Sequence, residues 1–191
     1  AIYDFNSADG SVVKDRSGVQ PALDLRIADL KAVRRTKGML EVRAKTVIRS
    51  DKPAVKIFNA VRRSGAITIE AWIKPANTQQ DGPARVVTLS RDSTNRNFTL
   101  GQDKDRFEVR LRTSGTSLNG IPALAGPAKT AKSALTHVVY TRDRSGRARV
   151  FINGKRTAEQ TVPGTISNWT GTFRLALANE LSGDRSWLGT Y

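Results

Sequence analysis

The chain has 191 residues, of which 38% are hydrophobic, and its 32 Lys or Arg against 17 Asp or Glu give a net charge of +15. This length is typical of a single domain with one core. The absence of cysteine excludes disulfides, thiolate metal sites and cysteine nucleophiles, and a single histidine, His137, excludes a His-rich metal site. No apolar run approaches the roughly 20 residues that cross a bilayer, so we expect no membrane insertion.

A basic segment lies between residues 31 and 63, where eleven Lys or Arg accompany two Asp or Glu. Within it, residues 41–49 (EVRAKTVIR) alternate charged and apolar side chains, which predicts a strand with its charges on one face. Positive charge of this density attracts polyanions before any specific contact forms. Nonspecific binding of nucleic acid is therefore one expected property.

Antiparallel strands joined by Gly- and Asp-bearing turns are predicted in one run from Ile67 to Gly189. Residues 106–112 (RFEVRLR) direct Phe107, Val109 and Leu111 toward a core. The same alternation places three arginines on the opposite face, at about 7 Å per two-residue step. These are Arg106, Arg110 and Arg112.

Arginine in such a row favours a particular chemistry, because its planar guanidinium fork binds the oxygens of a carboxylate or sulfate two at a time. The row therefore predicts a binding face for an acidic polymer. The alternative is an outer sheet face whose charges serve only solubility.

A β-hairpin is predicted in residues 134–156. A strand from Thr136 to Arg142 precedes a polar turn, and a second strand runs from Arg147 to Ile152. The dipeptide Asn153-Gly154 then favours a tight turn, since both of its residues accept positive φ. This pattern is typical of a β-meander.

Four segments carry a family resemblance: YDFNSADGSVVKDRSG at the start, IEAWIKP, HVVYTRDRSGRARVFINGK and the closing GDRSWLGT. Together they resemble the LamG-like jelly-roll family, the concanavalin A-like sandwich shared by laminin G domains, pentraxins and many bacterial carbohydrate-binding modules. The resemblance covers nearly the whole chain. It implies an all-β, two-sheet antiparallel jelly-roll sandwich without a long helix.

The resemblance also implies one domain over residues 1–191, of bacterial type, secreted, at the cell surface or periplasmic, as a module of a larger protein. Members of the family usually finish with a further strand after WLGT. Two alternatives stay open: the domain lacks this final C-terminal strand, or its first strand ends as an edge.

A polar cluster is implied by residues 96–122, which resemble a signature of bacterial LamG-like domains. In this interpretation two strands and a loop gather amide and guanidinium groups that hold sugar hydroxyls and an acid group. The groups are those of Asn97, Gln102, Arg112 and Asn119. The alternative is turn chemistry, because Asn119-Gly120 and residues 103–105 are typical turn formers.

Three tryptophans are candidates for stacking on sugar rings. Trp169 lies between Asn168 and Thr170 in a predicted loop and is the one expected to be exposed. The resemblance places Trp72 and Trp187 in core strands.

Two enzyme classes of this fold require residue types that can be sought in the sequence. A retaining glucanase needs two carboxylates about 5 Å apart, but Glu70 and Glu108 each stand alone in a predicted strand. A polysaccharide lyase uses uronate-neutralising side chains and a His or Tyr base, although the strand patterns of jelly-roll lyases are absent. The residues of suitable type are Gln102, Arg110, Arg112, His137 and Tyr140. We expect His137 to be a packed structural histidine.

Calcium requires six or more oxygen ligands. Asp92, Asp184 and the loops at Asp9 and Asp15 offer single donors without clustered spacing. We therefore expect no required cofactor and no catalytic metal. A structural calcium ion stays open without assignable ligands.

These observations favour a non-catalytic carbohydrate-binding module for acidic polysaccharide, uronate or sulfated, bound through an arginine-rich face. The alternatives are a polysaccharide lyase on uronate polymers, a protein-interaction or adhesive module, and a nonspecific binder of polyanions such as nucleic acid. The candidate ligand-binding residues are Asn97, Gln102, Arg106, Arg110, Arg112, Asn119 and Trp169.

Overall fold

The computed structural model describes residues 1–7 and 10–191, which form two antiparallel sheets. Sheet I has eight strands, in the spatial order β1 (Val12–Val13), β2 (Leu25–Ile27), β5 (Ile48–Ser50), β14 (Arg174–Leu177), β7 (Ala84–Ser90), β8 (Arg96–Asp103), β9 (Arg106–Leu111) and β10 (Leu124–Ala125). Sheet II has seven, in the order β13 (Lys155–Thr161), β12 (Arg147–Ile152), β11 (Thr136–Arg142), β6 (Ile67–Pro75), β15 (Gly189–Thr190), β4 (Met39–Val42) and β3 (Val33–Thr36). The predicted two-sheet antiparallel jelly-roll sandwich is confirmed.

The core lies between the two sheets and follows the alternation of apolar residues. In β9 the side chains of Phe107, Val109 and Leu111 are buried, and in β6 those of Ile69 and Ile73 are buried. Neighbours one position away along each strand point to the opposite face, because successive strand side chains alternate. Each sheet therefore has an inner apolar face and an outer face of different composition.

The predicted hairpin is confirmed with the predicted boundaries for both strands. β11 pairs with β12, and a third strand, β13, continues the meander. Asn153 has φ of 50° and Gly154 has φ of 78°, so both residues of the tight turn adopt the left-handed conformation.

The prediction of one strand over residues 41–49 is wrong. β4 ends at Val42 in sheet II and β5 begins at Ile48 in sheet I, so the segment between them crosses from one sheet to the other. Val42 and Ile48 are both buried in the core, which they reach from opposite sides. The charges of this segment are divided: Arg43 binds Glu41 at 2.9 Å, whereas Arg49 belongs to sheet I.

One helix, α1 (Val55–Ser64), was not predicted from the sequence. Its start is fixed by the Ala54 N–H, which donates to the Phe173 carbonyl at 2.9 Å. It ends at Gly65, whose φ of 68° permits its N–H to bond the Val61 carbonyl. At ten residues it is short, and no helix in the described part of the chain has the length and apolar character to cross a membrane.

The first and last strands of the chain are short and make few pairings. β1 lies at an edge of sheet I, and β15 pairs with β6 only at two positions, Gly189 with Pro75 and Thr190 with Lys74. A single domain over residues 1–191 stays a prediction.

Candidate binding face on sheet I

The outer face of sheet I carries arginines that the strand register aligns. Along one row across the sheet, paired Cα positions run from Arg110 through Thr99, Thr88, Ala176 and Arg49 to Arg26. Other arginines share the face because they lie an even number of positions from these along their strands. We call this surface the arginine face; its exposed or partly exposed members are Arg26, Arg49, Arg106, Arg110 and Arg174.

The spacing of the row follows from sheet geometry. Arg26 and Arg49 are direct neighbours, whereas Arg110 lies four strands from Arg49, roughly 19 Å at 4.8 Å per strand. Arg26 pairs with Asp51 at 3.2 Å, with both side chains largely exposed, so the pair restrains the guanidinium weakly. The row presents separated cationic groups across six neighbouring strands of sheet I.

Arg110 is a member of the arginine face that makes two side-chain hydrogen bonds within the protein. Its Nε donates to Glu108 Oε1 at 2.8 Å and its Nη1 donates to Asn119 Oδ1 at 3.4 Å. These contacts use two of the five N–H donors of the guanidinium, and the side chain is 18% exposed, so the remaining donors are partly accessible to a ligand. The structure thus brings together Arg110 and Asn119, and it places Arg106, which is exposed, on the same face of the same strand.

A buried polar layer occupies the centre of the same face. Glu180 Oε2 accepts from Arg85 Nε at 3.0 Å, and its Oε1 accepts from the hydroxyl of Ser90. Arg96 donates from Nη1 to Thr99 Oγ1 at 3.0 Å. All five side chains are excluded from solvent.

This layer contains two guanidinium groups for one carboxylate. Arg85 Nη2 and Arg96 Nε have no hydrogen-bond partner among the described residues. Burial, together with the neighbouring charge of Arg85, lowers the pKa of Arg96 to about 9. Burial also lowers the pKa of Arg85, against the opposing effect of Glu180. Both groups stay protonated at neutral pH, so the layer adds to the positive potential of the face.

Arg112 was predicted to extend the outward row, but its side chain is buried. Its Nη2 donates to the Asn168 carbonyl and, at 2.7 Å, to Thr170 Oγ1. Its guanidinium carbon lies 5.4 Å from the centre of the Phe173 ring. Arg112 follows the last residue of β9, where the strand alternation no longer applies. Its hydrogen bonds hold the loop at residues 168–170.

Asn97 also bonds this loop, and Trp169, which lies within the loop, bonds back to Arg112. The Asn97 amide donates to the Thr170 carbonyl at 2.8 Å and accepts from the Thr170 N–H at 2.9 Å. The indole of Trp169 donates to the Arg112 carbonyl at 2.7 Å and is only 4% exposed. The expectation that Trp169 is exposed is therefore wrong, and neither side chain faces solvent.

Gln102 is also internal. It donates from Nε2 to the carbonyls of Asn77 and Lys104, each at 2.7 Å. Its Oε1 accepts from Gln80 at 3.0 Å and from the Trp187 indole at 2.9 Å. Its hydrogen-bonding capacity is occupied by the protein, so the predicted cluster of four polar residues is divided between the surface and the interior.

The remaining tryptophans differ from each other. Trp187 is fully buried, as predicted, but Trp72 is 56% exposed and the prediction of a core position for it is wrong. In β6 the inward residues are Ile67, Ile69 and Ile73, so Trp72 must point outward.

The residues considered for a lyase are not gathered at one place. His137 lies on the outer face of sheet II, whereas Arg110 lies on that of sheet I. Tyr140 and Gln102 are buried. His137 is packed, as expected, but against the outer-face ring of Trp72 rather than in the core.

Several members of the arginine face were missed at the sequence level. Arg26 and Arg85 each sit between two apolar neighbours in a strand, and this flanking was the available signal for an outward charge. The missed residues are Arg26, Arg49, Arg85 and Arg96, with Glu180 in the loop after β14.

Among residues 1–7 and 10–191 no group of three or more His, Asp or Glu side chains could hold a metal ion. Asp9, one of the possible calcium donors, lies outside the described residues. The assignment of calcium stays open.

Comparison with solved structures identifies lectin-like domains of the same fold. The binding domain of botulinum neurotoxin DC in complex with SialylT superposes with a TM-score of 0.64 and 13% identity, covering 98% of this chain and 48% of that chain. The Ruminococcus gnavus IT-sialidase CBM40 bound to α2,3-sialyllactose superposes with a TM-score of 0.54 and 18% identity, covering 73% of this chain and 80% of that one. The chain spans about half the length of the toxin domains that it matches.

At these identities the likeness shows the fold alone. No match of comparable strength is found among curated protein sequences. A family model, Laminin_G_3 of the concanavalin A-like lectin/glucanases superfamily, matches residues 49–191, which is more than half of the chain. The chain therefore belongs to the Laminin_G_3 family of concanavalin A-like domains.

Proposed function

We propose that this chain is a non-catalytic carbohydrate-binding module that recognises acidic glycans, uronate or sulfated, through the arginine face. The observation that carries the proposal is the aligned row from Arg26 and Arg49 to Arg110, above a buried layer with more guanidinium groups than carboxylates. We place its action outside the cell, as a module of a larger protein.

The chemistry of the row suits a polymer with repeated acid groups. A charge-assisted hydrogen bond contributes about 1.5–3 kcal/mol, and arginine adds bidentate geometry that lysine lacks. Arg110 is held in place by Glu108 and Asn119, so little side-chain entropy is lost when an anion binds. Arg49 lies far enough from Arg110 to contact a different acid group of the same polysaccharide.

Relatives of the same fold support a sugar as the ligand. Among the structures of this fold, a CBM40 is bound to sialyllactose and a botulinum neurotoxin binding domain is in complex with SialylT. Sialic acid is itself an acidic sugar, which agrees with a cationic face.

The test is a glycan array at physiological salt, in which each acidic polymer is paired with its neutralised form: sulfated with desulfated, uronate with carboxyl-reduced. We expect binding to the acidic member of the pairs. The variants Arg110→Lys and Arg49→Lys keep the charge but lose the fork, and each should weaken binding severalfold.

Arg34→Lys is the matched control, because Arg34 is an exposed arginine on the outer face of sheet II, opposite Glu41. It should leave binding unchanged. An equal loss of glycan affinity in all three variants, or a loss in none, would show that the arginine face acts only as a charged surface. A steep salt dependence without preference between glycans and duplex DNA would instead identify a nonspecific polyanion binder.

A further inference from the structure

The outer face of sheet II carries one exposed indole in a fixed orientation. Trp72 of β6 is paired with His137 of β11, and the two rings stack with centroids 4.4 Å apart and planes 14° from parallel. One face of the indole is therefore covered by the imidazole. Since Trp72 is still 56% exposed, the opposite face, which points away from β11, is open to solvent.

A carboxylate lies beside this indole. Glu70 is two positions from Trp72 on the same side of β6, and its Oε1 lies 2.8 Å from His137 Nε2. The Glu70 side chain is 56% exposed, so it keeps hydrogen-bonding capacity toward solvent while His137 restrains it. An open aromatic face and an adjacent oriented carboxylate thus share one small surface.

There is room for a ligand on the open side of the indole. β15 covers β6 only at Lys74 and Pro75, and the ladder pairs no described strand with that edge of β6 at Trp72. A cavity of about 890 Å³ runs along this edge, lined by the outward residues Glu70 and Trp72, by residues 1–5, and by inward-facing apolar residues that include Ile69, Phe98 and Leu177. This volume is within the range of small-molecule sites.

We propose that Trp72, Glu70 and His137 form a second carbohydrate-binding site, which stacks the apolar face of a neutral pyranose on the open face of the indole. We call it the tryptophan platform. The C–H groups of one sugar face pack on an aromatic ring, and Glu70 accepts hydrogen bonds from hydroxyls at the sugar edge. This site goes beyond the arginine face, since it lies on the other sheet and requires no charge on the ligand.

The surroundings favour a sugar over a protein partner. The outward neighbours of Trp72 along β6 are Thr68, Glu70 and Lys74, all polar and exposed. A stable protein interface needs about 800 Å² per partner with an apolar centre, whereas here a single ring stands in a polar rim. Such a surface matches the size and polarity of one or two sugar units.

The test uses the fluorescence of the three tryptophans. Trp169 and Trp187 are buried, so quenching by acrylamide, a neutral quencher, reports mainly on Trp72. The intact chain is titrated with neutral cello-, xylo-, malto-, manno- and chito-oligosaccharides. We expect at least one of them to protect Trp72 from acrylamide, with an affinity that does not depend on salt.

Variants locate the site. Because replacing Trp72 removes the fluorescent reporter, the affinities of the variants are measured by isothermal titration calorimetry. Trp72→Ala should lower the affinity for that oligosaccharide at least tenfold, Trp72→Phe should retain part of it, and Glu70→Gln should weaken it severalfold. Arg110→Lys and Arg49→Lys should have no effect, so failure of this proposal is distinguishable from failure of the arginine face. Circular dichroism checks that each variant is folded.

Three outcomes would overturn the proposal. The first is a panel in which no neutral oligosaccharide protects Trp72. The second is binding that survives Trp72→Ala or is lost in the arginine variants, which would place the sugar elsewhere. The third is protection that rises with protein concentration in the absence of sugar, which would make the platform a contact between copies of the chain.

Discussion

Arg85 and Glu180, which are 95 residues apart in the chain, form an ion pair with Nε and Oε2 3.0 Å apart and no exposed surface on either side chain. The pair joins β7 to the loop after β14. Within the part of the chain that the structure describes, Glu180 is the one carboxylate of the buried layer that contacts Arg85 or Arg96.

Glu180→Gln should therefore destabilise the fold strongly. Without the carboxylate, Arg85 and Arg96 would be two buried cations with no opposing charge, and breaking a buried pair by removing one partner costs about 3–5 kcal/mol. Urea denaturation measures the effect. The double variant Arg85→Met/Glu180→Met serves as the control, because removing both charges should cost less than removing one; equal losses would contradict the electrostatic explanation.

Arg112→Lys should lower stability and leave ligand affinity unchanged. Lysine cannot reach both the Asn168 carbonyl and Thr170 Oγ1, and an unsatisfied buried group costs about 1–3 kcal/mol. Thermal unfolding and glycan affinity are measured on the same preparation. Arg110→Lys is the matched control, with the opposite expectation: affinity falls and stability changes little. A variant of Arg112 that is stable but does not bind would restore Arg112 to the ligand site.

Stability should fall as the pH drops below about 4. Burial would raise the pKa of Asp15, but hydrogen bonds from Lys56 and from the backbone N–H groups of Leu23 and Ser17 outweigh it and hold the pKa below its ordinary value. The folded state then binds fewer protons than the unfolded state, whose Asp pKa is about 3.9. The stabilisation is complete above that value and is lost as the pH falls through the folded pKa.

Asp15→Asn tests the assignment by urea denaturation between pH 2 and 6. The variant should be less stable at pH 6 and show a flatter decline toward low pH. Some slope should remain, because hydrogen bonds from Arg91 and Thr94, against the effect of burial, lower the pKa of Asp92 to about 2. An unchanged slope would show that Asp15 does not control acid sensitivity.

Gly164 and Gly154 offer a comparison at the same backbone angle, since both have φ of 78°. A Cβ at Gly154 would meet nothing within 4 Å, whereas at Gly164 it would overlap the backbone nitrogen of Gly115. Gly154→Ala should therefore cost only the left-handed strain, about 1–2 kcal/mol. Gly164→Ala should cost clearly more in thermal unfolding, and equal costs would indicate that the backbone at Gly115 yields.

Strand alternation predicted the fold and much of the core, since Phe107, Val109 and Leu111 are buried as expected. It failed over residues 41–49, which it predicted as one strand although the chain passes from sheet II to sheet I there. At Trp72 it was set aside. The family resemblance assigned Trp72 to the core, although Ile69 and Ile73 on either side already required it to point outward. Alternation along one strand is a local physical constraint, and here it was the better guide.

The interior polar groups could not be predicted in the same way. Arg112 and Asn97 bond Thr170 in the loop at residues 168–170, and Trp169 of that loop bonds the Arg112 carbonyl; the loop is more than 50 residues away from both partners. Such contacts depend on how loops close over the ends of the sandwich. Sequence patterns report residue type and periodicity, but they do not report which distant loop satisfies a given side chain.

The arginine face and the tryptophan platform lie on different sheets, and sheets in a sandwich pack about 10 Å apart. A ligand on one side therefore leaves the other side unobstructed. With both surfaces occupied, a single copy of the domain would be bivalent. It would cross-link an acidic polysaccharide to a neutral one at a separation set by the thickness of the sandwich. Mixed polysaccharide networks would then be its natural setting, and agglutination rather than simple adhesion its physical effect.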